Sequence, residues 1–261
     1  MTTGPSRTIP TACSPPVGEL RRLLIDPVRL AHARDTDGLL GLTSDEAHYV
    51  KRVLRRRIGN PLAITDGCGH LWEAVLVTGD AMRLSPMPCE HQPEPSRRLG
   101  LAVAITRRGF DDALRMACEL GVDAIQPLRC CRCTPQAEHR PERWQTILRE
   151  AVEQCERLWM PTLHPLQDLD SWMVACPSVA VGVTRAPGLP SLSEWLPQQE
   201  NTWVWMVVGP EGGWENSELD CFADRSWQAV HLGDSILRSS TATVRAAVEL
   251  VQWRESQPVD G

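Results

Sequence analysis

The chain has 261 residues, 42 % of them hydrophobic, and a formal net charge of −6, enough apolar content for one large or two small cores. No window approaches the roughly eighteen apolar residues of a membrane-spanning helix. An acidic chain does not coat nucleic acid non-specifically, so any RNA contact has to come from a local patch.

In chain order, Met1 to Gly18 is rich in Thr, Pro and Ser and lacks an apolar h-region, so it reads as a disordered leader rather than a signal peptide. Ten cysteines without a secretion signal read as reduced thiols in a cytoplasmic protein. Arg21 to Ile25 reads as a short strand stopped at Pro27. Thr43 and Glu46 make a capping box for a helix over Thr43–Arg57, with Val50, Val53 and Leu54 on one face and Gly59 closing it. Five of the seven residues from Lys51 to Arg57 are basic; they form either a solvated helix face or a clamp for RNA phosphates, positioning without reading sequence. Leu62–Thr65, the turn Asp66-Gly67-Cys68-Gly69 and Leu71–Val77 read as a hairpin. Residues 19–88 thus form a compact β-barrel-like module. A linker over 89–98 follows, overlapping the proline-rich stretch Pro86 to Pro95.

From Leu99 onward strands alternate with helices. Strands are expected at Leu99–Ile105, Val122–Leu128, Val179–Val183, Trp203–Val208 and Gln228–Leu232, and helices at Asp111–Leu120, Glu142–Trp159, Glu215–Asp224 and Ala242–Trp253. That alternation predicts an α/β domain over 99–261 with a mainly parallel sheet. Two of its strands end in glycine-containing loops, Gly209-Pro210-Glu211-Gly212-Gly213 and Leu232-Gly233-Asp234-Ser235-Ile236-Leu237-Arg238, and open α/β sheets bind ligands at such strand ends. Ser239, Ser240 and Thr241 offer N-caps for the last helix. Cys130-Cys131-Arg132-Cys133 contains a Cys-x-x-Cys, but a structural zinc needs a second ligand pair. Only scattered residues such as Cys118, His139 and Cys155 are available, so no metal is expected and the thiols read as small, partly buried side chains.

The Gly-Pro-Glu-Gly-Gly loop after a strand, then Leu232-Gly233-x-x-Ile236-Leu237-Arg238-x-x-Thr241-Ala242 before a terminal helix, resembles the SPOUT methyltransferases. Within them it is most similar to the family that methylates N3 of a uridine in 16S ribosomal RNA. The resemblance implies a C-terminal trefoil-knotted parallel-sheet domain behind a small PUA-like β-barrel domain, with Val53-Leu54-Arg55 matching a pattern of the latter. It implies S-adenosylmethionine as cofactor, a homodimer, and the small ribosomal subunit as partner. Backbone groups of Gly209, Pro210, Glu211, Gly212, Gly213, Leu232 and Gly233 would hold the cofactor. Val183 and Thr184, at the end of the Val179–Val183 strand, belong to the same candidate set, and Leu232, Ile236 and Leu237 would flank the adenine.

Arg238 and Arg132 are the catalytic candidates, as stabilisers of a uridine anion. Lys51, Arg52, Arg55, Gln154 and Arg157 are the candidates for RNA contact; Gln154 and Arg157 belong to Glu153-Gln154-Cys155-Glu156-Arg157, a stretch that lines the cleft entrance in the resembled family. The chain departs from that family at three positions: Cys131 and Ser240 stand where it has glutamates, and Met116 where it commonly has lysine. Two further readings stay open: a SPOUT methyltransferase acting on another nucleoside, such as a ribose 2′-hydroxyl, and a non-catalytic RNA-binding relative.

Overall fold

The computed structural model describes residues 20–172 and 178–257; the leader expected over Met1–Gly18 lies outside them. Six strands build the N-terminal sheet: β1 Arg22–Leu24, β2 Leu39–Gly41, β3 Pro61–Thr65, β4 His70–Leu76, β5 Ala81–Leu84 and β6 Glu90–His91. Their order is β1-β3-β4-β5-β2, with β6 on β4. The sheet is mixed, because β1 runs parallel to β3 while the other pairs are antiparallel. Leu23, Ile25, Ile64, Trp72 and Met82 fill its core. The turn between β3 and β4 is held by Asp66, whose Oδ1 accepts from the amides of Cys68 (2.7 Å) and His70 (3.1 Å). Because β6 pairs with β4, this sheet extends past residue 88 into the expected linker.

Two elements here differ from the sequence expectation. Pro27 does not merely end a strand; it opens α1, Pro27–Thr36. Asp26 caps that helix by accepting from Val28 N (2.9 Å) and Arg29 N (3.2 Å), and proline at the first helical position loses no needed N–H. The helix expected over Thr43–Arg57 is only α2, Ser44–His48, with the Thr43–Glu46 capping box. It widens into a π-turn over Tyr49–Val53, and the chain leaves helical geometry with Arg55 at φ +53°. The apolar stripe is too thin to sustain it: Val50 is buried but Val53 is 60 % exposed, and the adjacent like charges repel along the helix.

The C-terminal sheet contains β7 Arg98–Ala104, β8 Ala124–Arg129, β9 Thr162–Leu163, β10 Gln167–Asp168, β11 Val179–Gly182, β12 Trp203–Val208 and β13 Gln228–Val230. The order is β10-β8-β7-β12-β11-β13, with β9 beside β8, and every pair is parallel. A parallel sheet covered on both faces needs strands that are apolar along their length, which β12 is, and β7 from Leu99 onward. One face packs against α3 Phe110–Leu120, α4 Pro141–Cys155 and α7 Ser239–Ser256 through Leu101, Phe110, Leu148, Met206 and Leu250. Trp172, Trp205, Phe222 and Trp227 pack the other, where α6 Asn216–Asp224 lies; the short α5 spans Leu192–Trp195. Among the described residues no helix is long and apolar enough to cross a membrane.

Helix ends also shift. α4 stops at Cys155, where Glu156 turns left-handed (φ 64°), leaving Arg157 and Trp159 in the following loop. α7 begins at Ser239 with Arg238 as an N-cap that makes no side-chain bond. Ser239, Ser240 and Thr241 are therefore first-turn residues, not caps.

The N-terminal module docks on the end of α4 and the loop beyond it. Leu24 N–H donates to Glu153 Oε1 (2.9 Å), and the Arg149 guanidinium donates to Leu24 O and reaches Glu46. Cys68 bridges Trp159, and Met160 N–H donates to Gly67 O (2.9 Å). These contacts lie just before β9, whose Thr162 pairs with Ala124, the first residue of β8. The module thus sits at the edge of the sheet where its strands begin.

Candidate functional site

The opposite edge, where the strands end, carries a cavity of about 810 Å³, within the usual size of a small-ligand pocket. Three loops wall it: Val183–Leu189 after β11, Gly209–Trp214 after β12 and His231–Leu237 after β13. Glycine is required at two of these positions for different reasons. Gly233 has φ +114°, a conformation that L-residues rarely adopt, although a Cβ there would meet nothing within 4 Å. At Gly209 a Cβ would lie 2.8 Å from the Trp214 ring, so its absence lets that indole close over the strand end. Trp214 Nε1–H then donates to Gly182 O (2.8 Å), tying the loop after β12 to the end of β11. Pro210 O accepts from Gly213 N–H (2.9 Å), and His231 Nδ1 accepts from Gly233 N–H (3.1 Å).

Several backbone amides of the cavity wall meet no protein acceptor among the described residues, those of the half-buried Leu232 and Leu237 among them, and such groups look for partners in a ligand or in water. They stand beside apolar side chains in the cavity wall, an environment suited to a flat, nitrogen-rich ring whose faces are apolar and whose edges hydrogen-bond.

Arg132 forms part of the rim. It lies on a turn after β8, donates from Nε to Glu215 Oε1 (2.7 Å) and from Nη1 to Gly212 O (3.1 Å). The hydrogen bond from Arg132 holds the exposed Glu215 carboxyl below the usual carboxylate range. Arg238 is exposed between two wall residues, Leu237 and Ser239, and its guanidinium meets no protein acceptor among the described residues. Ser240 packs against Gly109, the N-cap of α3; a Cβ on that glycine would come within 3.1 Å of Ser240 Oγ. Cys131 is exposed, and its amide donates to Glu218 Oε1 (2.9 Å). Neither position supplies a carboxylate.

The structure gathers one part of the candidate set and separates the rest. Val183, Thr184, Gly209, Pro210, Glu211, Gly212, Gly213, Leu232, Gly233, Ile236, Leu237 and Arg132 all line the one cavity. Lys51 and Arg52 on the π-turn, and Arg55 just after it, are exposed in the N-terminal module, away from this wall. Gln154 is exposed on the last turn of α4. Arg157 does not line the cleft of its own chain: its guanidinium donates to Cys118 O and Val122 O (both 2.8 Å) and pairs with Asp123 at 3.4 Å. Cys118 is on the last turns of α3, and Val122 and Asp123 immediately precede β8, so this guanidinium is engaged at the far edge of the sheet. Sequence reasoning missed Arg185, Pro187, Gly188, His231 and Trp214, all in the wall. The signal for the first three was the Pro-Gly break just after an apolar strand, the same rule that flagged the other two loops. Among the described residues no group of three or more His, Cys, Asp or Glu side chains is placed to hold a metal ion.

Comparison with known proteins agrees with this geometry. The profile of the RNA methyltransferase domain matches residues 92–252, and that of the RNA methyltransferase PUA domain residues 42–81. A Synechocystis protein named ribosomal RNA small subunit methyltransferase E is 33 % identical, over 90 % of this chain and 78 % of its own length. A Rickettsia conorii protein of the same name is 29 % identical, over 80 % and 88 %. The crystal structure of a ribosomal RNA small subunit methyltransferase E from Neisseria gonorrhoeae bound to S-adenosyl methionine superposes with a TM-score of 0.73 at 26 % identity, covering 90 % of this chain and 98 % of that one.

Proposed function

This chain belongs to the RNA methyltransferase family, and from that premise we propose that it methylates N3 of a uridine in the 16S RNA of the small ribosomal subunit. It is an S-adenosylmethionine-dependent RNA methyltransferase. The observation that carries the reading is the convergence of three strand-end loops, with the unpartnered amides of Leu232 and Leu237, on one cavity. The residues present fit the cofactor: the amides suit the adenine edge, and Leu232, Ile236 and Leu237 its faces. When bound, S-adenosylmethionine supplies a methyl group already activated by a sulfonium.

The chain's own residues have to align the base and manage its charge. Uracil N3–H is a weak acid that must lose its proton before or during transfer. With Cys131 and Ser240 at the glutamate positions, the cationic rim takes the larger share. Arg238, unpaired at the cavity mouth, and Arg132, braced by Glu215, stabilise the uridine anion electrostatically, and the walls hold the reacting atoms in line. Lys51 and Arg52 of the π-turn, with Arg55 just beyond it, contact RNA phosphates and position without reading bases. Their module docks at the opposite edge of the sheet from the cleft, which favours a homodimer in which one chain's module serves its partner's cleft; Gln154 and Arg157 face that same side. The setting is the cytoplasm, where the small subunit is assembled.

Transfer of labelled methyl to unmodified small ribosomal subunits, followed by nucleoside analysis, tests the reading. Label in 3-methyluridine is expected; label in another nucleoside replaces the substrate assignment but keeps the cofactor. Sedimentation tests the dimer.

A further inference from the structure

Cys130, Cys131 and Cys133 take no part in the chemistry above, yet they sit on the turn that carries Arg132. Cys133 N–H donates to Cys130 O at 3.0 Å, closing a four-residue turn over Cys130-Cys131-Arg132-Cys133. The ends of such a turn lie within about 7 Å, Cα to Cα, and a disulfide spans roughly 4.4–6.8 Å. The Cys133 sulfur is folded back over the turn, where it accepts from Cys130 N–H at 3.3 Å. Cys133 is half-buried and Cys130 buried, the arrangement of an accessible attacking sulfur with a resolving sulfur behind it.

We propose that Cys130 and Cys133 are a redox-active dithiol, oxidised reversibly by a hydroperoxide to a disulfide that alters the cofactor cleft through Arg132. The hydrogen bond from the Cys130 thiol brings the Cys133 thiol down to about 7 and pushes Cys130 up, so Cys133 is the thiolate that reacts. Cys131 is not a competitor, because the Glu218 carboxylate beside it pushes its thiol up.

The Cys133 thiolate attacks one peroxide oxygen; the O–O bond breaks and the other oxygen leaves as alcohol or water, taking a proton. The resulting sulfenic acid is attacked by the Cys130 sulfur. The S–S bond forms, and hydroxide leaves with the Cys130 proton as water. Two thiols lose two electrons, and the peroxide gains them. A dithiol reductant reverses the step by exchange.

Arg132 transmits the change because it lies inside the closed ring. Its bonds to Glu215 and Gly212 O brace the Gly209–Gly213 loop. Drawing the sulfurs to about 2.05 Å takes Cys133 away from its bond with Cys130 N–H and rotates that turn. Only this consequence rests on the methyltransferase reading.

A second thiol pair serves as the internal comparison. Cys118 and Cys155 meet between α3 and α4, where the Cys118 thiol brings Cys155 down to about 6, but neither residue touches the cavity wall.

The test treats the full chain with hydrogen peroxide, alkylates the remaining thiols, maps the peptides by mass, and measures S-adenosylmethionine affinity by calorimetry without RNA. The segment holding Cys130 and Cys133 is expected to lose the mass of two hydrogens and to take up a single alkyl group, at the exposed Cys131, until dithiothreitol frees the other two thiols. Cofactor affinity is expected to fall about threefold or more and to recover on reduction. In Cys133→Ser, with untreated affinity within about twofold of the parent, peroxide should produce neither effect. Cys130→Ser should instead accumulate a sulfenic acid at Cys133 that dimedone traps. A disulfide confined to Cys118–Cys155, or Cys133 oxidised past sulfenic acid with Cys130 free, overturns the dithiol. A Cys130–Cys133 disulfide with unchanged affinity overturns the coupling. Because affinity is read without RNA, a wrong RNA substrate leaves all these outcomes readable.

Discussion

The two edges of the parallel sheet use the same side chains for opposite purposes. Where the strands begin, Asp123 gathers Leu99 N–H (2.9 Å), Arg254 (2.6 Å) and Arg157 (3.4 Å), and both arginines spend further donors on carbonyls of Gly121, Cys118 and Val122. All three side chains are at least four-fifths buried. Where the strands end, Arg238 is exposed without a protein acceptor among the described residues, and loop residues whose amides meet no protein acceptor line a cavity. The difference is saturation. An arginine whose donors are all taken braces the fold, and one whose donors are free can meet a substrate. The same contrast separates Arg157 from Arg238, two arginines that look alike in the sequence; Arg132 stands between them, exposed but bonded to Glu215 and Gly212 O.

The contrast can be broken by experiment, and the largest expected effect is at the saturated edge. Asp123→Ala leaves the largely buried guanidinium groups of Arg157 and Arg254 without this counter-charge and should cost about 3–5 kcal/mol. Urea denaturation reads that loss, while cofactor affinity of the folded fraction stays near its starting value; lost affinity with intact stability would reverse the roles of the two edges. At the open edge, Arg238→Ala should lower methyl transfer about a hundredfold, the scale of removing one preorganised donor, with cofactor affinity within about twofold. Equal loss of both would move that arginine to cofactor binding or folding. Gly233→Val forces a β-branched residue into φ +114° and should weaken S-adenosylmethionine binding about tenfold, near 1.4 kcal/mol. Unchanged binding would remove this loop from the site.

The smallest effect is expected where the N-terminal module docks near the saturated edge. Burial pushes the Glu46 carboxyl up, but the hydrogen bonds from Arg29 and the Thr43 amide, with the charges of Arg29 and Arg149, outweigh it and hold it below its ordinary value. A carboxyl lowered on folding adds stability that is complete above its unfolded value and lost as pH falls through the folded one. The urea midpoint should therefore decline below about pH 4.5, the ordinary glutamate value, and Glu46→Gln should flatten that decline. An identical profile in the variant would assign the acid sensitivity elsewhere.

Much of this molecule is legible from local pattern. The apolar runs of β7 and β12 follow from burial on both faces of a sheet, and each cavity loop sits where such a run breaks at glycine. The Thr43–Glu46 capping box is equally local and forms as the spacing requires. Asp26-Pro27 carried a helix-start signal that a strand reading of the preceding residues obscured. The early end of α2 was not local in this sense, because it depended on which of Val50, Val53 and Leu54 found a core to enter.

Residue order along the chain states neither edge nor saturation. Arg132 meets Glu215 across 83 positions and Arg157 meets Asp123 across 34, and nothing near either arginine in sequence distinguishes their partners. Backbone propensity and hydrophobic period are short-range and can be read from neighbours. The supply of acceptors around a guanidinium is set by elements that meet only after the sheet has assembled, so the assembled fold alone engaged Arg157 at the strand starts and left Arg238 exposed without a protein acceptor among the described residues.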